Sequence, residues 1–174
     1  MMMQMLVSGG LEAFTDNKRT PDENNPKGYF EHNAVKGLMR NNKFLKDVGD
    51  KAVKIVSHLL LNLPSRYHYK IIFMVRDIDE VVASQHKMLE RDGKIKPKTY
   101  QVSLKEAFKN NLQQIKTWSE KNHNVEILYI NYKEALENPK SIAQKISNFL
   151  GKDLDIEKMA VSVDKSLYRN KLVK

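Results

Sequence analysis

In the segment Val75-Arg76-Asp77-Ile78-Asp79-Glu80-Val81-Val82-Ala83-Ser84-Gln85, residue types and spacing suit the binding of an anion. Arg76 leaves the end of an apolar run, and Ser84 follows about two helical turns later. Arginine offers a phosphate a planar fork of charged donors, and serine adds a hydroxyl donor. Open parallel sheets bind ligands beyond the carboxyl ends of their strands, where Arg76 would stand. Together the two residues suit one phosphate. They are equally compatible with Arg76 paired to Asp77 or Asp79 and Ser84 packed as a small helical residue. His32, His68, His86 and His123 form no metal-ligand spacing with carboxylates, so no metal site is predicted. With no cysteine there is no disulfide, thiolate ligand or cysteine nucleophile.

The elements that must position these residues follow from periodicity. Lys70 to Val75 is almost continuously apolar, as expected of a strand covered on both faces, and Asp77 to Arg91 turns helical. The acidic residues Asp77, Asp79 and Glu80 fall where a helix N-terminus favours negative charge. A second strand is predicted over Ala52 to Ser57, which is short and β-branched, and a third over Val125 to Ile130. Helices are predicted from Met1 to Ser8, stopped by Gly9-Gly10, from Phe30 to about Val48, with Val35, Leu38, Met39 and Leu45 able to share a face, and from Ser103 to about Lys121. After the third strand, helical segments run through Leu136 and then from Lys140 to Leu150, ending at Gly151. Loops fill Thr15 to Gly28 and Arg91 to Tyr100, and loops of this kind set specificity.

Alternating strands and helices imply an α/β fold, a parallel sheet flanked by helices. Neither repeats nor linkers divide the sequence, so residues 1–174 read as one domain. Three strands are few for such a sheet and the chain opens in a helix, which predicts a further strand ahead of Met1. An unfilled strand position would leave an edge open to pairing, hence a possible homo-oligomer.

Composition is that of a soluble globular protein, 41% hydrophobic and 29% charged. No apolar run is long enough to span a membrane and Met1 to Val7 lacks the flank of a signal peptide, so a cytoplasmic location without a membrane partner is expected. The net charge of +9 would serve a polyanionic small molecule, nucleic acid or an anionic surface alike. The lysines are scattered and no base-stacking or groove-reading motif accompanies them, so nucleic acid is not the expected partner.

The Arg76 and Ser84 pair after a strand resembles the 3′-phosphate motif of the sulfotransferases. These enzymes move a sulfuryl group from 3′-phosphoadenosine-5′-phosphosulfate (PAPS) to a hydroxyl or amine. Ile130-Asn131-Tyr132-Lys133-Glu134-Ala135-Leu136, with Pro139 and Phe149-Leu150-Gly151, resembles a second family segment. Asp22-Glu23-Asn24-Asn25-Pro26-Lys27-Gly28-Tyr29-Phe30-Glu31 and Ser166-Leu167-Tyr168-Arg169-Asn170 resemble parts of bacterial members.

The resemblance implies a P-loop-NTPase-like sheet, PAPS as co-substrate, Arg76 and Ser84 on its 3′-phosphate, Tyr132 beside its adenine, and Arg169 reaching the phosphate from the C-terminal end. It implies two candidate bases for the acceptor proton. His58 lies in Val56-Ser57-His58-Leu59, similar to a histidine segment of animal members; Glu31 ends the Asn-Pro-Lys-Gly-Tyr-Phe-Glu stretch. A plain reading of each is a partly buried polar residue and a first-turn helix carboxylate.

The family's 5′-phosphosulfate loop, a Pro-x-Ser-Gly-Thr-Ser-like turn between the first strand and the first helix, has no counterpart. Met1 to Leu6 resembles the helix that follows it. The implied alternatives are therefore an enzyme whose loop lies upstream, with Lys54 as a possible partial substitute for it, and a truncated nucleotide-binding module without useful catalysis. A P-loop kinase is disfavoured, since neither a Gly-Lys-Ser/Thr motif nor a magnesium-binding aspartate is present.

Overall fold

A computed structural model describes residues 1–22, 25–91, 93–94 and 98–168. Two of the predicted strands form, β1 (Tyr69–Val75) and β2 (Val125–Asn131), paired in parallel from Tyr69 opposite Val125 to Val75 opposite Asn131. Their near-continuous apolar character is explained by cover on both faces. Ile72, Met74 and Leu128 pack into one cluster with Met5, Ile142, Ile146 and Met159; Tyr69, Ile71, Phe73 and Ile127 pack into another with Val35, Leu38, Leu45 and Ile115. The alternation along β1 is the two-residue period of a strand.

The first face is covered by α1 (Met2–Ser8), α5 (Tyr132–Glu137), α6 (Pro139–Leu150) and α7 (Ile156–Val161). Proline occupies the first turn of α6, where its missing N–H costs nothing, and Gly151 ends the helix at φ +65° with its N–H on the Ser147 carbonyl. Gly9, at the end of α1, is where that helix meets α7: a Cβ built there would lie 2.6 Å from Met159 Cγ. On the other face lies α4 (Lys98–Lys121), which begins earlier than the predicted Ser103 and buries Ile115. Between β1 and α4 runs α3 (Ile78–Arg91).

Two expectations are corrected. The helix predicted over 30–48 is broken into α2 (Asn33–Lys36), turns and a 3₁₀ segment at Lys43–Asp47. Gly37 closes α2, and the Asn41 side chain accepts from Lys43 N at 3.0 Å, offering the backbone a local alternative to helix. The apolar pattern still buries Val35, Leu38 and Leu45, whereas Met39 is 70% exposed.

The strand predicted over 52–57 is reduced to an isolated bridge of Ala52 with Ala13. Ala52 N–H donates to Glu12 O and Phe14 N–H to Ala52 O, both at 2.8 Å. Beyond it Val53, Lys54 and Ile55 line a groove of about 870 Å³ together with Ile71, Ile72 and Phe73 of β1. A β-branched run becomes a strand only where a partner lies at hydrogen-bonding distance, and among the described residues the run has only the Ala13 bridge. The sheet therefore has two strands among the described residues.

Candidate functional site

The register of the sheet builds the site. Val75 and Asn131 are partners at the carboxyl ends of β1 and β2, so the residues that follow them, Arg76 and Tyr132, emerge side by side. The Arg76 guanidinium carbon lies 4.8 Å from the centre of the Tyr132 ring, a cation-π contact. Tyr132 is fixed because Asn131 caps α5, its side chain accepting from Lys133 N at 2.9 Å and Glu134 N at 3.1 Å.

At the other strand end, Asp77 Oδ1 accepts from Asp79 N at 2.8 Å and from Glu80 N at 3.3 Å, satisfying donors in the first turn of α3. Asp79 pairs with Lys105 of α4 at 2.6 Å. Arg76 pairs with Glu80, 8% exposed, which accepts from Arg76 Nε at 2.9 Å. Ser84, half-buried, stands one turn beyond Glu80 on the same face of α3.

A residue from the C-terminal end completes the cluster. The Tyr168 hydroxyl donates to Glu80 Oε1 at 2.5 Å, and its ring meets that of Tyr132 edge-on at 5.6 Å. The Arg76 guanidinium is 5.3 Å from the Tyr168 ring centre. The hydrogen bond to Glu80 raises the Tyr168 pKa; burial raises that of Tyr132, against the pull of Arg76.

A second cluster surrounds Glu31. Its Oε1 is 3.3 Å from Lys54 Nζ, and its Oε2 is 3.3 Å from Arg19. Arg19 stacks over Tyr29 at 3.3 Å from the ring centre, and the Tyr29 hydroxyl donates to Asp22 at 2.6 Å. Burial alone would raise the Glu31 pKa, but Lys54 and Arg19 outweigh it and hold the carboxyl below its ordinary range. Glu31 stands ahead of α2, whose cap is His32, so it is not the first-turn helix carboxylate of the plain reading. His58 lies in a 3₁₀ turn at Ser57–Asn62 and is exposed, against the plain expectation of partial burial.

The groove along β1 is lined by Tyr29 and Lys54 of the Glu31 cluster and by Met1. The pKa of the Met1 ammonium is lowered, first by burial and then by Lys54 and Lys27. Arg76, Ser84 and Tyr132 are not among the groove's lining residues.

The Sulfotransferase domain matches residues 17–172 of the chain. The chain belongs to the sulfotransferase family. It is also similar to Sulfotransferase 1 family member D1 of Mus musculus, 33% identical over 140 residues that cover 74% of this chain and 47% of the mouse protein. The chain thus spans about half the length of the curated relative it matches. No solved structure matches it.

For this sulfotransferase-family chain, the structure brings Arg76 and Tyr132 together and sets Ser84 on the face of α3 that carries Glu80. Glu31 belongs to a separate cluster with Lys54. Arg169 lies outside the described residues, although its neighbour Tyr168 reaches the Arg76 cluster. Sequence reasoning missed Glu80 and Tyr168. The signal for Glu80 was its i,i+4 spacing from Arg76; Tyr168 joins from 88 residues away, and nothing local announces that contact.

Proposed function

We propose that this chain is the nucleotide-binding part of a PAPS-dependent sulfotransferase, one cytoplasmic domain that acts on a hydroxyl or amine acceptor. The reading rests on family membership and on one observation: an arginine at the end of β1 lies against a tyrosine ring at the end of β2. This edge of a parallel sheet is where such folds take nucleotides. A guanidinium donor fork and the Ser84 hydroxyl suit the 3′-phosphate, and the half-buried Tyr132 ring offers an apolar face to adenine.

PAPS supplies a sulfuryl group on a good phosphate leaving group. In the transfer the acceptor oxygen or nitrogen bonds to sulfur, the bond from sulfur to the 5′-phosphate oxygen breaks, and the acceptor proton passes to a base. We assign that base to His58, exposed and next in sequence to the groove-lining Ser57, because a carboxylate depressed by Lys54 and Arg19 makes Glu31 a weaker proton acceptor.

A second reading, a module that binds the nucleotide without useful catalysis, is favoured by the groove itself. A backbone-donor loop of the kind that grips a 5′-phosphosulfate is not found at its β1 wall among the described residues.

Titration calorimetry with adenosine 3′,5′-bisphosphate tests the nucleotide site common to both readings. Binding that Arg76→Ala weakens about tenfold or more is the expected result, the order of a lost charge-assisted contact. Binding that ignores Arg76→Ala, or no binding by the folded chain, would sink it.

A further inference from the structure

We infer that Glu80 is a positioning residue for Arg76, locked in place by Tyr168 from the C-terminal end of the chain; the inference rests on the nucleotide-site reading. Arginine has three dihedrals beyond its first, and a guanidinium held only at its root would sample many orientations beside a phosphate. The Nε–H bond to Glu80 Oε2 at 2.9 Å takes the side of the guanidinium and fixes its plane. The Tyr132 ring at 4.8 Å and the Tyr168 ring at 5.3 Å border the same guanidinium.

Glu80 is itself constrained through both oxygens. Oε2 serves Arg76, and Oε1 accepts the Tyr168 hydroxyl at 2.5 Å. A carboxylate only 8% exposed costs free energy unless its oxygens are engaged, so the two bonds also account for why a glutamate is tolerated there. Glu80 stands one turn before Ser84 on α3, so the bond that orients Arg76 also ties it to the helix face that carries the second phosphate donor.

The strap that delivers Tyr168 has its own anchor. Asp164 accepts from Ser166 N at 3.0 Å and Ser166 Oγ at 2.6 Å, and pairs with Lys27 at 3.0 Å. Residues 165–168 are thus tied to the loop that precedes Tyr29 while Tyr168 reaches Glu80. An acidic residue beside a phosphate site normally weakens anion binding. Here the geometry assigns it the opposite net effect, since orientation of the fork outweighs partial neutralisation of a cation already paired in the free protein.

The test compares affinities for adenosine 3′,5′-bisphosphate and adenosine 5′-monophosphate, whose ratio isolates the 3′-phosphate. Glu80→Gln should lower that ratio about fivefold and Tyr168→Phe, which keeps the ring and removes only the hydroxyl, about two- to threefold. Affinity for the monophosphate should hold within about twofold, which a general loss of structure would not spare. In an Arg76→Ala background Glu80→Gln should change the ratio no further, because a positioning residue acts only through the group it positions. A ratio near one in the parent chain would sink the nucleotide-site reading itself. A clear preference for the bisphosphate that neither variant reduces, or that Glu80→Gln increases, would overturn the positioning role alone.

Discussion

Lys54 Nζ lies 3.3 Å from Glu31 Oε1 and 3.0 Å from the carbonyl oxygen of Tyr29, joining the wall of the β1 groove to the loop that ends at Glu31. One ammonium thus satisfies a charged acceptor and a backbone acceptor, and Arg19 closes the cluster from the other side. The lysine is spent on structure, which weakens the expectation that it substitutes for a phosphate-gripping loop.

Replacing this lysine should loosen the loop without unfolding the chain. Lys54→Met keeps the aliphatic stem and removes both hydrogen bonds. Because Lys54 and Glu31 are partly exposed, solvent screening limits the loss to about 1 kcal/mol or less. Urea denaturation should show a small drop in midpoint with unchanged slope. A loss of several kcal/mol would mean that the cluster is coupled to the core.

Tyr129 offers a gain. Its ring packs 5.6 Å from Phe73, while its buried hydroxyl has no hydrogen-bond partner among the described residues. A polar atom taken from water without a partner is destabilising, and removing it leaves the aromatic contact intact. Tyr129→Phe should therefore be neutral or stabilise the protein by up to about 1 kcal/mol, read as a rise in melting temperature. A clear fall would show that the hydroxyl does have a partner.

What was legible in the sequence divides along physical lines. The β1 run, the turn at Arg76 and the helix predicted from Lys140 to Leu150 are written in local pattern, and all three form, the helix one residue earlier at Pro139. Ala52 to Ser57 carries an equally clear strand pattern, but a strand needs a neighbour, and among the described residues it has only an isolated bridge to Ala13. At 30–48 the apolar spacing predicted which residues are buried better than it predicted the helix, because Gly37 and Asn41 redirect the backbone while Val35, Leu38 and Leu45 still reach the core. Within the site, Arg76 was legible as an anion ligand from its place after a strand. Its partner was placed at Asp77 or Asp79; the cap at Asp77 and the ion pair of Asp79 with Lys105 divert both, and Glu80 takes the position. Tyr168 reaches Glu80 only through the tertiary fold, beyond the range of any local pattern.

Acid should release the C-terminal strap before it unfolds the core. The Ser166 hydroxyl and then Lys27 hold the Asp164 carboxyl down to about 2, below its ordinary 3.8. A carboxyl whose folded pKa is depressed adds stability that is complete above its unfolded pKa and is lost as pH falls through the folded value. The contribution of Asp164 should therefore be constant from neutral pH down to about 4 and fade between about 4 and 2. Asp164→Asn removes it at all pH values, so the gap in urea midpoint between parent and variant should be steady above that window and close within it. Hydrogen exchange at the amides of 165–168 should speed up in the parent over the same window and already be fast in the variant at neutral pH. A gap that persists unchanged to pH 2 would show that Asp164 contributes through its shape and not through its charge.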